Sequence, residues 1–166
     1  YGGKLGIDLT QAEPYIANFE ETSDENVAKL LDAKEVKIYL KDTPNRTICA
    51  KIDRKTSSKE IFEKTKNELS KYAKIVVIFD EQNNGLDNPY MLFWRLLNNM
   101  DAKRDIYTED EFIFIDATKK GRSDGYNREW PNDTVCDIKL LENLKEREII
   151  DFDEEFLRKW QIVDFV

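Results

Sequence analysis

The spacing of apolar positions changes several times along the chain, and each change marks an element. Thr22 and Glu25 read as a capping box that opens a short helix, with Val27, Leu30 and Leu31 on its apolar side. From Lys34 to Leu40 the pattern alternates, placing Val36, Ile38 and Leu40 on one face. Arg46 to Asp53 alternates as well, with Thr47, Cys49 and Lys51 opposite Ile48, Ala50 and Ile52. The turn residues Asp42 to Asn45 between them predict an antiparallel hairpin.

Ser57 and Glu60 form a second capping box, after which Ile61, Phe62, Thr65, Leu69 and Tyr72 recur at helical spacing. The unbroken apolar run Ile75 to Phe79 suits a strand covered on both faces. Asp87 and Pro89 suit the cap and first turn of another helix, whose apolar residues include Met91, Leu92, Phe93, Leu96 and Leu97. Phe112 to Ile115 reads as a second buried strand. The strand, helix, strand, helix, strand order over 46–116 predicts right-handed crossovers and a largely parallel sheet.

Beyond it, Lys119 to Asp133 is a polar loop longer than most connections. Helical segments are expected near Asp137 to Arg147 and Asp153 to Trp160. Phe156, Trp160, Ile162, Val163, Phe165 and Val166 make the end of the chain apolar, so it should dock on this domain or on a neighbouring chain. The expected fold is a three-layer α/β sandwich with a mostly parallel sheet, an antiparallel hairpin at one side and a C-terminal helical tail. It divides into an N-terminal segment of uncertain role (1–34), an α/β core (35–135) and the tail (136–166).

Charge narrows the functional classes. The 166 residues carry 26 Lys and Arg against 34 Asp and Glu, a formal net charge of −8, with the lysines scattered. Nucleic acid is therefore not an expected partner, because a phosphate backbone is met by a basic surface. The 11% aromatic content supplies material for a core and argues against disorder. The chain has no histidine, and Cys49 and Cys136 lie far apart. A Cys/His zinc site and a Ser-His or Cys-His nucleophile within this chain are excluded. No apolar run approaches the roughly 20 residues of a membrane span, and the N-terminal residues lack the regions of a signal peptide. A cytoplasmic protein with no integral membrane segment is expected. The first residue, Tyr1, suggests a piece of something longer.

Several groups can carry chemistry. Asp80 and Glu81 follow the buried strand, where open α/β sheets place ligands, and paired acids there can hold magnesium or cap a loop. Asp116 and Thr118 stand just past the next strand, where their oxygens hold a turn or reach a ligand. The I-D-x-T element recurs at Ile7 to Thr10 with Lys4 close by, and glycines beside a lysine can approach a phosphate. In the long loop, Tyr126, Arg128, Glu129, Trp130 and Pro131 either anchor an interface or tuck back onto their own domain. Salt bridges are the expected use of Arg95, Arg104 and Asp105.

Three segments, KIVVIFDEQNN, FWRLLNNMDAKRD and FIDATKKGRSDGYNREWP, taken in this order resemble the C-terminal part of UbiD-type decarboxylases, the 3-polyprenyl-4-hydroxybenzoate carboxy-lyase family. The second and third are the specific ones. The resemblance implies a share in an enzyme that uses prenylated FMN and a divalent metal to remove carbon dioxide reversibly from an aromatic or α,β-unsaturated acid, in quinone biosynthesis. It implies no catalytic residue and no metal ligand in this chain, and no cofactor bound by this piece alone. The implied partners are a cofactor-binding domain of the same polypeptide and further copies in a homo-oligomer. In the family pattern K-x-G-x-D-A-T the lysine is linked with the cofactor phosphate. The copy ending at Thr118 has Phe112 in its place, whereas Lys4 to Thr10 keeps K-x-G-x-D-x-T. Lys4 is thus the candidate cofactor contact, with chance similarity as the other reading. The rival from a different class is a stand-alone acidic α/β binding module with a magnesium or nucleotide site near Asp80 and Glu81.

Overall fold

The structure, a computed structural model, describes residues 18–80 and 85–160. Helix α1 (Asp24–Leu31) packs Val27 and Leu31 into the core and is capped by Ser23, whose hydroxyl accepts from the Asn26 amide. The expected cap at Thr22 falls one residue early. Ser is the better cap, and Thr22 instead accepts from the Asn26 side chain. Strands β1 (Ala33–Tyr39) and β2 (Thr47–Ile52) pair antiparallel as the alternation predicts. The alternation overreaches at Leu40, which has turned to φ 53° and stands 57% exposed.

Helix α2 (Ser58–Tyr72) begins at Ser57, which accepts from the Glu60 amide as expected, and buries Phe62, Thr65 and Leu69. It delivers the chain to β3 (Ile75–Phe79), parallel to β2. Helix α3 (Pro89–Asn99) is capped by Asn88, not Asp87. Asp87 is spent instead on the ammonium of Lys37.

The second half of the sheet departs from expectation. A short helix α4 (Ala102–Asp105) leads into strand β4 (Ile106–Glu109), which forms a hairpin with β5 (Phe112–Asp116) through a two-residue turn at Asp110 and Glu111. Asp110 takes φ 52°, a conformation that Asp tolerates better than most residues. The strand order is β1-β2-β3-β5-β4, with two parallel pairings in the middle and an antiparallel one at each edge. Because β4 runs against β3 and β5, it begins at the end of the sheet where β3 finishes. The connection through α3 therefore returns to the end it left, and β2-α2-β3 is the only crossover of the expected kind among the described residues.

The layers follow from the two faces of the sheet. Ile48, Ala50, Ile52, Val76, Ile78, Phe112 and Phe114 meet α1 and α2 in the larger core. Cys49, Val77, Phe79 and Ala117 meet Leu86 and Leu92 on the opposite face. Burial pushes the Cys49 thiol up to about 12, so it behaves as a small apolar side chain. Helices α5 (Ile138–Glu146) and α6 (Glu154–Trp160) follow the long loop, and α6 buries Leu157. No described helix is long and apolar enough to cross a membrane.

Candidate functional site

The topology brings β2, β3 and β5 to the same end and starts β4 there. Arg54 and Asp80, which follow β2 and β3, and Asp116, the last residue of β5, therefore converge with Asp105 and with the loop after β5. This is the end of an α/β sheet at which ligands bind in many folds.

The convergence is a buried ionic network. Asp116 is wholly buried, and its Oδ1 accepts from the Thr118 amide at 2.8 Å and the Thr118 hydroxyl at 2.6 Å. Lys120 is 3% exposed. Its ammonium donates to the carbonyls of Asp116 and Thr118, 3.3 Å from Asp116 Oδ1 and 3.8 Å from Asp105 Oδ2. Asp105 is held in turn by Arg104 at 2.8 and 2.7 Å. Arg54 makes a bidentate pair with Asp124 at 2.5 and 2.6 Å and lies 3.9 Å from Asp116 Oδ2.

Burial and partners set the proton affinities. Burial pushes the Lys120 ammonium down, opposed by Asp116 and Asp105. The Asp80 carboxyl is pushed up, first by burial and further by the charge of Asp116, against a hydrogen bond from the Lys119 amide. Arg54 holds Asp124 below the usual carboxylate range.

The backbone amides here are what a phosphate would want, and the chain's own carboxylates have taken them. The amide of Thr118 donates to Asp116, that of Lys119 to Asp80 at 2.5 Å, and that of Gly121 to Asp124 at 2.8 Å. A concave run of amides attracts anions. Three aspartates of the same chain supply the anions. The described residues of this end therefore do not fit the phosphate of a flavin mononucleotide, and the arrangement acts as a polar lock on the loop after β5. Asp116 and Thr118, left open between turn and ligand, form the turn.

Asp80 spends one carboxylate oxygen on the Lys119 amide. Glu81 lies outside the described residues, as do Lys4 and the Ile7 to Thr10 element. No group of three or more possible metal ligands occurs among the described residues.

The long loop is fastened at a second point. Arg95, 4% exposed, forms a bidentate pair with Asp133 at 2.9 and 2.5 Å. Arg95, Arg104 and Asp105 all serve in salt bridges, as their types suggest. Of the Tyr126 to Pro131 group, Trp130 tucks back. Its ring lies 4.9 Å from Tyr126, and the Lys120 ammonium stands 5.9 Å from its centre. Arg54 and Asp124 were missed as site residues, since their pairing spans 70 positions and only the strand order brings them together.

No family model matches the chain. Two curated relatives, both called uncharacterized protein, come from Helicobacter pylori strains J99 and 26695. Each is 37% identical over 169 residues, covering 97% of this chain and 27% of the relative. The chain thus spans about a quarter of the length of the curated relatives it matches. Among solved structures, vanillic acid decarboxylase from Sedimentibacter hydroxybenzoicus in its closed form is similar with a TM-score of 0.53 at 17% identity, covering 75% of this chain and 31% of that one. Its open form gives 0.50 over the same shares. A dimeric evolved form of the UbiD-class enzyme HmfF from Pelotomaculum thermopropionicum, in complex with prFMN, gives 0.49 at 19% identity over 76% and 28%. The chain is an α/β domain similar in fold to one part of vanillic acid decarboxylase.

Proposed function

We propose that the chain is the C-terminal domain of a UbiD-like, prenylated-FMN-dependent carboxy-lyase acting on an aromatic or α,β-unsaturated carboxylic acid, in quinone biosynthesis. One observation carries this reading. The two segments with the most specific resemblance, M-D-x-x-R-D and D-A-T-K, flank the β4-β5 hairpin and meet through Asp105 and Asp116, with the ammonium of Lys120, the residue after the second segment, between them. Two motifs that resemble one family and also lock each other into place are the parts of one structural unit, and the fold likeness to vanillic acid decarboxylase supports the same unit.

In this reading the α/β core, residues 35–135, packs on the cofactor-binding domain of a longer polypeptide and supports a cytoplasmic homo-oligomer, with 136–166 as a helical arm. Reactive groups, flavin and divalent metal belong to the rest of that polypeptide. Prenylated FMN supplies the electron sink for decarboxylation. Lys4 is the one candidate contact to its phosphate from this chain.

The experiment is carbon dioxide release from a panel of aromatic and unsaturated acids. It compares the longer protein loaded with prenylated FMN against the 166-residue chain alone. Turnover confined to the longer protein is expected, with cofactor retention reduced by Lys4→Ala. Turnover by the isolated chain, or a longer protein that retains no flavin, refutes the assignment. Unaltered retention in Lys4→Ala removes that residue from the site.

A further inference from the structure

Arg54 stands between two aspartates and is hydrogen-bonded to one of them. Its Nη1 and Nη2 donate to Asp124 at 2.5 and 2.6 Å, and Nη2 also donates to the Lys119 carbonyl at 3.2 Å. Toward the other aspartate, Nη1 lies 3.9 Å from Asp116 Oδ2, too far for a hydrogen bond. Asp116 Oδ2 is buried with no hydrogen-bond partner, whereas Oδ1 of the same carboxylate accepts from the Thr118 amide and hydroxyl. A buried carboxylate oxygen without a donor is rare and costly, so this one is a vacant acceptor beside a guanidinium that is engaged elsewhere.

The two aspartates belong to parts of the fold that are held differently. Asp116 ends β5 and is fixed by the sheet. Asp124 ends the short turn Arg122–Asp124 in the long loop, where it also accepts from the Gly121 amide at 2.8 Å. Beyond that contact, the turn is closed by its own backbone, with Gly125 donating to the Arg122 carbonyl and Tyr126 to that of Gly121. Arg54 is therefore the tie between the turn and the strand ends. A shift of about 1 Å would bring Nη1 within hydrogen-bond distance of Asp116 Oδ2.

We propose that Arg54 is a latch with two positions: on Asp124 it holds residues 121–126 against the strand ends, and on Asp116 it releases them. In the second position the guanidinium keeps an acidic partner and the Asp116 oxygen gains its donor, while Asp124 moves into water with the turn. The two arrangements are discrete because each carboxylate offers its own seat. The segment released carries Tyr126 and leads into Arg128 and Trp130. The inference does not depend on the decarboxylase reading.

Two variants of the full chain test it. Asp124→Ala removes the first seat, and a crystal structure of this variant is expected to show Arg54 Nη1 donating to Asp116 Oδ2. A guanidinium that stays in place or turns into solvent overturns the proposal. In solution, hydrogen exchange at the Gly125 and Tyr126 amides of this variant should quicken about tenfold relative to α2. Arg54→Gln empties both seats and leaves two buried carboxylates short of a partner, so its urea midpoint should fall at least twice as far as that of Asp124→Ala, or the protein should fail to fold. Equal midpoints for the two variants, or unchanged exchange at Gly125 and Tyr126, overturn the latch as well.

Discussion

The carboxyl end of the sheet and the outer face of α3 handle their exposed chemistry in opposite ways. At the strand ends, Arg54, Arg104 and Lys120 stand among Asp80, Asp105, Asp116 and Asp124, and backbone amides and guanidinium groups take up most of the carboxylate oxygens within the chain. On α3, Tyr90, Phe93 and Leu97 face outward with apolar surface in water. Desolvation costs several kcal/mol per ion, so most of the charge at that end is matched within the chain; the exception is Asp116 Oδ2, which is buried without a hydrogen-bond partner and has Arg54 3.9 Å away. Apolar surface carries a milder penalty of about 25 cal/mol per Å² and is tolerated in water. The outer face of α3 is thus left apolar, while the end of the sheet that holds ligands in many α/β proteins serves here as a lock.

The largest way to break that contrast is to remove the cation at the centre of the lock. Lys120→Met takes away the charge beside Asp116 and Asp105, both within about 1% of full burial. Removing one partner of a buried pair typically costs about 3 to 5 kcal/mol, and a loss in that range is expected from urea unfolding. Adding Asp116→Asn keeps an oxygen for the Thr118 amide while removing the stranded charge, and it should recover part of the loss. A single variant within about 0.5 kcal/mol of the parent would show that the network is not shielded from water.

The elements of this comparison were unequally legible. The α2 cap at Ser57, the β1-β2 hairpin and the buried β3 run all follow from local spacing, and the structure has them where the pattern puts them. Strand β4 was invisible because it has only four residues and its turn, Asp110 and Glu111, lacks the Asn-Gly signature of a tight hairpin. Missing it made α3 look like a crossover helix and hid why Asp105 shares an end of the sheet with Asp116. The lock was legible only in part. Asp80, Asp116 and Thr118 stand out by position after strands, whereas the pairing of Arg54 with Asp124 depends on a strand order that no local pattern encodes.

A second, smaller test concerns how far the lock holds the long loop. Asp133 pairs with Arg95 at the far end of that loop, and Arg95 is almost fully buried. Hydrogen bonds to charged groups contribute about 1.5 to 3 kcal/mol. Asp133→Ala should cost that much and should speed amide hydrogen exchange between residues 119 and 133 more than in α2. Uniform acceleration across the molecule would mean that the pair stabilises the whole fold and does not fasten the loop in particular.

The smallest effect expected is also the most diagnostic, because it depends on sign. Burial raises the Asp80 carboxyl above its ordinary value. A carboxyl raised in the folded state favours folding below its ordinary pKa, and that contribution is lost as pH rises through the raised value. Asp124 is lowered, chiefly by its hydrogen bonds from Arg54, so its contribution is present above its ordinary pKa and lost as pH falls through the lowered one. Two acids of one network thus pull stability in opposite directions, and Asp80 is the one that is strained at neutral pH. Asp80→Asn keeps an oxygen for the Lys119 amide and removes the charge. The variant should be more stable than the parent at pH 7, by less than either change above, and the advantage should vanish as pH falls below the ordinary carboxylate range near 4. Unfolding both proteins in urea across this range checks it, and an advantage that stays constant with pH would mean that the Asp80 carboxyl is not the group being relieved.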